Sequence, residues 1–285
     1  MDATHLLPKW VHLSWNAAYG LWPSGDRRRG SRKDSTDMRK RSVLIGVLAA
    51  VSSAISLPAV ASADDAGVRI IGGHDATEEY SFMASLQIGG SHGCGASLIK
   101  PDWAVTAAHC VQGGSPSDFS LRIGSNDNTT GGEEAGVTNV VTHDSGDIAL
   151  LQLDHAVQAA PIKIAAESGA PGTETRIIGW GQTCPEQGCG EAPTMLQELD
   201  TSIVDDGDCT SIDGPTEICT ANPGGNSGAC YGDSGGPQIK GTSGNWELIG
   251  ATSRAGNNNP TCATGPSIYT DVVAFTDWIN QNTGG

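Results

Sequence analysis

The sharpest chemical signal in this 285-residue sequence is Gly232-Asp233-Ser234-Gly235-Gly236-Pro237. A serine hydroxyl is a weak nucleophile until a neighbouring base takes its proton. Flanking glycines let the backbone approach a substrate carbonyl and aim N–H groups at the oxyanion that develops there. The base is sought among seven histidines. His109 stands apart in Val105-Thr106-Ala107-Ala108-His109-Cys110, where small apolar neighbours and an adjacent cysteine can pin the ring. His5 and His12 lie far upstream, and His74, His92, His143 and His155 sit in polar or turn contexts. A lone histidine among small apolar residues is more often structural, but the Ser234 segment reverses those odds. The acid that orients an imidazole should be partly desolvated. Asp147 heads the apolar run Asp147-Ile148-Ala149-Leu150-Leu151-Gln152-Leu153, whereas its near competitor Asp144 lies in a solvated His-Asp-Ser-Gly turn.

The elements that must carry these residues read as strands. Apolar and β-branched runs over Phe82–Ile88, Trp103–Ala107, Asp147–Leu153, Thr175–Gly179 and Trp246–Thr252 are separated by Gly, Asn and Asp breaks. That pattern predicts an all-β sandwich or barrel. Val157–Gly172, with Pro161, Pro171 and several alanines, is the candidate linker between two halves. Asp271–Asn282 differs: Val272, Phe275, Trp278 and Ile279 fall on one helical face, and Asp271 suits an N-cap. A bare Gly-x-Ser-x-Gly also occurs in α/β-hydrolases, which would make the chain a serine esterase. Those enzymes place their acid and then their histidine after the serine, and here no histidine follows Ser234.

Charge and cysteine usage narrow the setting. The formal net charge is −16. Ten Lys and Arg face six Asp and Glu ahead of Ile70, leaving six against 26 from Ile70 onward. So acidic a body argues against nucleic-acid binding, which needs a basic face. The eight cysteines are Cys94, Cys110, Cys184, Cys189, Cys209, Cys219, Cys230 and Cys262. No Cys-x-x-Cys pair occurs among them, so zinc spacing is missing, neither metal nor cofactor is expected, and four disulfides in an oxidising compartment is the simplest reading. Met38-Arg39-Lys40-Arg41, the apolar run Val43–Val51 and Ala61-Ser62-Ala63 together read as a secretory signal over 38–63. Residues 1–37 precede that start methionine and read as a misassigned upstream segment. Residues 64–69, ending in Arg69 just before Ile70-Ile71-Gly72-Gly73, have the form of an activation peptide.

Four segments now stand together: Ile70-Ile71-Gly72-Gly73, Thr106-Ala107-Ala108-His109-Cys110, Asp147-Ile148-Ala149-Leu150 and Gly232–Pro237. In this order they resemble the signature segments of the chymotrypsin/trypsin family of serine proteases, across nearly all of 70–285. The resemblance implies two antiparallel β-barrels with the active site between them and a C-terminal helix. The first barrel would span about 70–160, the second about 161–270, and the helix 271–282. It implies a catalytic triad of His109, Asp147 and Ser234, an oxyanion hole from the N–H groups of Gly232 and Ser234, and Ser253 supporting the acid. Cleavage after Arg69 by an activating protease would free the Ile70 amine to pair with Asp233, turning a zymogen into a secreted, monomeric endopeptidase acting on proteins or peptides. Matched positions imply the bridges Cys94–Cys110, Cys209–Cys219 and Cys230–Cys262, which leave Cys184 and Cys189 to each other. A family member that had lost activity and served as a binding module is the rival, and the complete triad opposes it.

The resemblance places the specificity pocket at Gly228, Ala229, Ser253, Ala255 and Ser267. Gly228 stands at the floor where trypsin-like members carry Asp, so no buried anion awaits Arg or Lys. Cleavage after large apolar or aromatic residues is the implied preference. Three departures admit smaller residues instead: Arg254 replaces the usual aromatic, Ala255 can narrow the mouth, and Ser267 replaces a glycine.

Overall fold

The computed structural model describes residues 70–284. The upstream segment 1–37, the signal 38–63 and the activation peptide 64–69 with Arg69 lie outside the described residues. After a short strand β1 (His74–Asp75), six strands follow: β2 (Met83–Ile88), β3 (Ser91–Lys100), β4 (Trp103–Thr106), β5 (Phe119–Ile123), β6 (Glu133–Thr142) and β7 (Ala149–Leu153). They close into an antiparallel barrel in the order β2-β3-β4-β7-β6-β5. Closure leaves no edge strand open to pairing with another chain. The residues dictate which way each strand faces. Phe119, Leu121 and Ile123 of β5 alternate inward with period two, and Trp103–Thr106 of β4 is buried throughout. Met83, Leu86, Leu98, Leu121, Ile123, Leu150 and Leu151 fill the interior.

The second half is one eight-stranded sheet. Its strands are β8 (Lys163–Ile164), β9 (Glu174–Gly179), β10 (Gln197–Ser202), β11 (Glu217–Thr220), β12 (Pro237–Thr242), β13 (Asn245–Ala255) and β14 (Ser267–Asp271), together with β1. The order is β1-β10-β9-β12-β13-β14-β11, with β8 alongside β13 in parallel. Its core gathers Ile70, Ile177, Leu199, Ile203, Ile218, Ile249 and Tyr269. Two boundaries differ from the sequence reading. Residues 70–75 belong to this sheet and not to the first barrel, because His74 pairs with Glu198 and Asp75 with Gln197. The candidate linker contains β8, which pairs Lys163 with Glu247 and Ile164 with Leu248.

The C-terminal segment is helical in two steps. A 3-10 turn over Val272–Phe275 is capped by Asp271, whose carboxylate accepts from the Val273 N–H at 3.0 Å. It runs into α1 (Thr276–Thr283), which ends on Gly284 in the left-handed region at φ +83°. Val272, Phe275 and Ile279 are buried. Among the described residues no helix is long and apolar enough to cross a membrane.

Candidate active site

Strand pairing brings His109 and Asp147 together. β4 and β7 are antiparallel with Thr106 opposite Ala149, so the chain leaving β4 and the chain entering β7 meet at one end of the barrel. His109 follows β4 in a 3-10 turn over Ala108–Cys110, and the disulfide Cys94–Cys110 ties that turn to β3. Asp147 lies two residues before β7. The His109 N–H donates to Asp147 Oδ1 at 3.0 Å, and His109 Nδ1–H donates to Oδ2 at 2.8 Å. The carboxylate can only accept, so the proton is on Nδ1 and Nε2 is left with its lone pair.

The second sheet completes the cradle. β13 and β14 skip one residue between Thr252 and Arg254, so Ser253 is the extra residue of a bulge. Bulges re-aim side chains, and here the Ser253 hydroxyl donates to Asp147 Oδ2 at 2.6 Å. Thr270 of β14 donates to the Asp147 carbonyl at 2.9 Å. Burial pushes the Asp147 pKa up, but the hydrogen bonds from His109 and Ser253 outweigh it and hold the carboxyl below its ordinary range.

Ser234 sits in a tight turn pinned to both halves. Gly95 of β3 donates to the Ser234 carbonyl at 2.8 Å, and the Gly235 N–H donates to the Thr252 carbonyl at 2.8 Å. The approach requires glycine: a Cβ on Gly95 would lie 2.6 Å from the Gly236 Cα. Among the described residues, neither the Gly232 nor the Ser234 N–H has an acceptor. Ser234 and His109 line one cavity of about 590 Å³, yet no hydrogen bond joins the Ser234 hydroxyl to the ring.

His92 was passed over in the sequence as a histidine in a polar or turn context. It lies instead on β3, largely buried, with its ring edge-on to Trp180 at 5.4 Å. Its Nε2 donates to the Gly232 carbonyl at 3.1 Å, which leaves Nδ1 to accept from the Ser85 hydroxyl at 2.9 Å. Burial lowers its pKa to about 4, so the ring is neutral near pH 7. Gly232 has φ +99°, a left-handed backbone, and His92 anchors its peptide from behind. The alternation of β3 hints at an inward His92, but its partner lies 140 residues away.

Asp233 is buried and accepts from the Gly181 and Cys230 N–H groups, both at 2.8 Å. No cation pairs with it among the described residues. Burial therefore raises its pKa to about 7, against the lowering effect of the two N–H donors. Ile70 is only 1% exposed and packs in the cluster that contains Ile177, Leu199 and Tyr269.

The residues that the resemblance assigns to a specificity pocket separate into two layers. Ala229, Ser253, Ala255 and Ser267 line the cavity. Gly228 is buried outside the lining, where its N–H donates to the Ile71 carbonyl at 2.9 Å, and a Cβ there would lie 3.7 Å from Ser267 Oγ. Tyr231, also overlooked in the sequence, forms part of the rim and donates to the Pro260 carbonyl at 2.7 Å. The other three disulfides join Cys184 to Cys189, Cys209 to Cys219 and Cys230 to Cys262.

Comparison with known proteins agrees with this architecture. The family model described as Trypsin matches residues 70–279. The fibrinolytic enzyme isozyme C of Lumbricus rubellus is 32% identical over 245 residues, covering 75% of this chain and 100% of that one. Trypsin delta of Drosophila melanogaster is 32% identical over 235 residues, covering 75% of this chain and 88% of its own. Transmembrane protease serine 11C of Mus musculus is also 32% identical, over 76% of this chain, which spans only about half (54%) of that protein. With its matched region covering both halves of the fold, the chain belongs to the trypsin family of serine proteases.

Proposed function

We propose that the protein is a secreted endopeptidase that cuts peptide bonds through an acyl-enzyme, with Ser234 as nucleophile, His109 as base and Asp147 as the orienting acid. The observation that carries this reading is the 2.8 Å contact from His109 Nδ1 to Asp147 in the cavity that Ser234 shares. With Nδ1 protonated, Nε2 takes the Ser234 proton as Oγ attacks the substrate carbonyl carbon. The oxyanion that forms is received by the unpartnered N–H groups of Gly232 and Ser234, each contributing roughly 3 kcal/mol in comparable sites. His109 then returns the proton to the leaving amine. Water, deprotonated by the same nitrogen, attacks the ester and releases the acid product with Ser234 restored. The missing Ser234–His109 hydrogen bond suits a site that tightens only around substrate.

Activation follows from Asp233. A buried carboxylate without a cation is costly, and cleavage after Arg69 would supply one as the new Ile70 amine. The burial of Ile70 and the raised pKa of Asp233 support this reading. Residues 38–63 act as the secretory signal, 64–69 as the activation peptide, 1–37 as an upstream segment outside the functional protein, and 70–285 as the monomeric peptidase. The pairing of every cysteine from Cys94 to Cys262 suits an oxidising, extracellular destination.

No carboxylate lines the cavity, which supports cleavage after large apolar or aromatic residues and disfavours Arg or Lys. Ala255 and Ser267 at the wall favour smaller apolar residues as the second reading. The test is Ser234→Ala in the activated full chain. Peptide turnover should fall on the order of 10⁵- to 10⁶-fold, with binding of substrate retained. Undiminished turnover removes Ser234 from the chemistry.

A further inference from the structure

Arg254 carries the one permanent charge in the lining of the active-site cavity. The remaining wall is neutral apart from the imidazole of His109. This cation stands in a chain whose net charge is −16. Its position follows from the bulge in β13. Ser253 turns to Asp147, and Arg254 re-enters the ladder opposite Ile268, beside the Ala255–Ser267 pair. Arg254 therefore lies in the same cavity beside Ala255 and Ser267, which on the protease reading hold the acyl-side residue next to the cut bond.

The guanidinium is held through its two Nη atoms. Nη1 and Nη2 donate to the two oxygens of Glu217, the Nη2 bond measuring 2.8 Å, and Nη2 also donates to the Ser211 carbonyl at 2.9 Å. Glu217 is itself fixed by the Asp213 N–H at 2.8 Å and is only 12% exposed. The Nε–H and the second Nη1 hydrogen have no acceptor among the described residues. The side chain remains 39% exposed. Held at its Nη end, the guanidinium keeps its charge in a fixed position, with the Nε–H as a free donor toward a carboxylate.

We propose that Arg254 is a specificity-determining residue that selects substrates with an aspartate or glutamate on the acyl side of the scissile bond, a few residues ahead of the one that fills the pocket. This rests on the protease reading above and names part of its substrate class. The bland alternative is that Arg254 merely ties β13 to β11 through Glu217.

Paired peptides separate the two. Each pair shares its pocket residue and differs only by Glu against Gln at the second, third or fourth residue on the acyl side. With the activated full chain, the Glu peptide should be favoured about three- to fivefold in kcat/KM at one of these positions, the worth of a partly exposed ion pair. The ratio should shrink as salt is raised. It should fall to about one in Arg254→Gln and stay above one in Arg254→Lys, which keeps the charge. A wild-type ratio of one at every position, or an unchanged ratio in Arg254→Gln, overturns the proposal. Should Arg254→Gln fail to fold, a wild-type Glu preference indifferent to salt overturns it as well. Failure to cleave any peptide would instead strike the protease reading.

Discussion

Asp147 gathers three donors from two halves of the molecule: the N–H and Nδ1–H of His109 from the barrel, and the Ser253 hydroxyl from the second sheet. An Asp147→Asn substitution keeps the shape but offers an N–H₂ where the imidazole needs an acceptor, so the ring takes the wrong tautomer. Peptide turnover should drop about 10⁴-fold, measured as kcat on a single peptide, while the folded structure persists by circular dichroism. At this scale much was legible. His109, Asp147 and Ser253 each stand in a local context that the sequence displays, and the structure joins them by hydrogen bonds. His92 and Tyr231 were not legible, because their partners Gly232 and Pro260 are brought in only by tertiary packing. The β-bridge of Gly228 with Ile71, a pairing of segments far apart in the chain, was not legible either.

At the scale of elements, the site depends on how closely β3 approaches the Ser234 turn. Gly95 and Gly236 pack backbone against backbone, and the Gly95 N–H holds the Ser234 carbonyl. Gly95→Ala would force these segments apart by several tenths of an ångström. A small displacement of a nucleophile costs rate steeply, so kcat/KM should fall on the order of 10²-fold. The thermal midpoint should move far less than turnover does. Strand runs such as Trp103–Ala107 and Thr175–Gly179 were readable because β-branched and apolar residues cluster there. The bulge at Ser253 was not, since it arises from a register shift against β14. The last helix begins as a 3-10 turn, a distinction that the spacing of Val272, Phe275 and Ile279 does not encode.

For the whole molecule, the proposed activation would link the buried carboxylate of Asp233 to stability. Its folded pKa of about 7 stands above the ordinary 3.8. The group therefore favours folding below pH 4, and that contribution is lost as pH rises through 7. Denaturant titrations of the unprocessed chain should show stability falling between pH 4 and pH 7 by on the order of 4 kcal/mol. Asp271, also raised by burial, slopes the same way, so the comparison is with Asp233→Asn, in which most of the loss should vanish. An equal slope in both proteins would mean that Asp233 is not strained. The barrel architecture was legible through the four signature segments, whereas the pairing of His74–Asp75 with the second sheet was not, because it joins segments more than 120 residues apart.

The most direct measurement is covalent labelling of the activated full chain with a fluorophosphonate, which a reactive serine attacks with loss of fluoride, followed by peptide mass mapping. A single adduct on Ser234, lost in His109→Ala, is the predicted result. An adduct on another residue, or none in protein shown to be folded and cleaved after Arg69, would contradict the account.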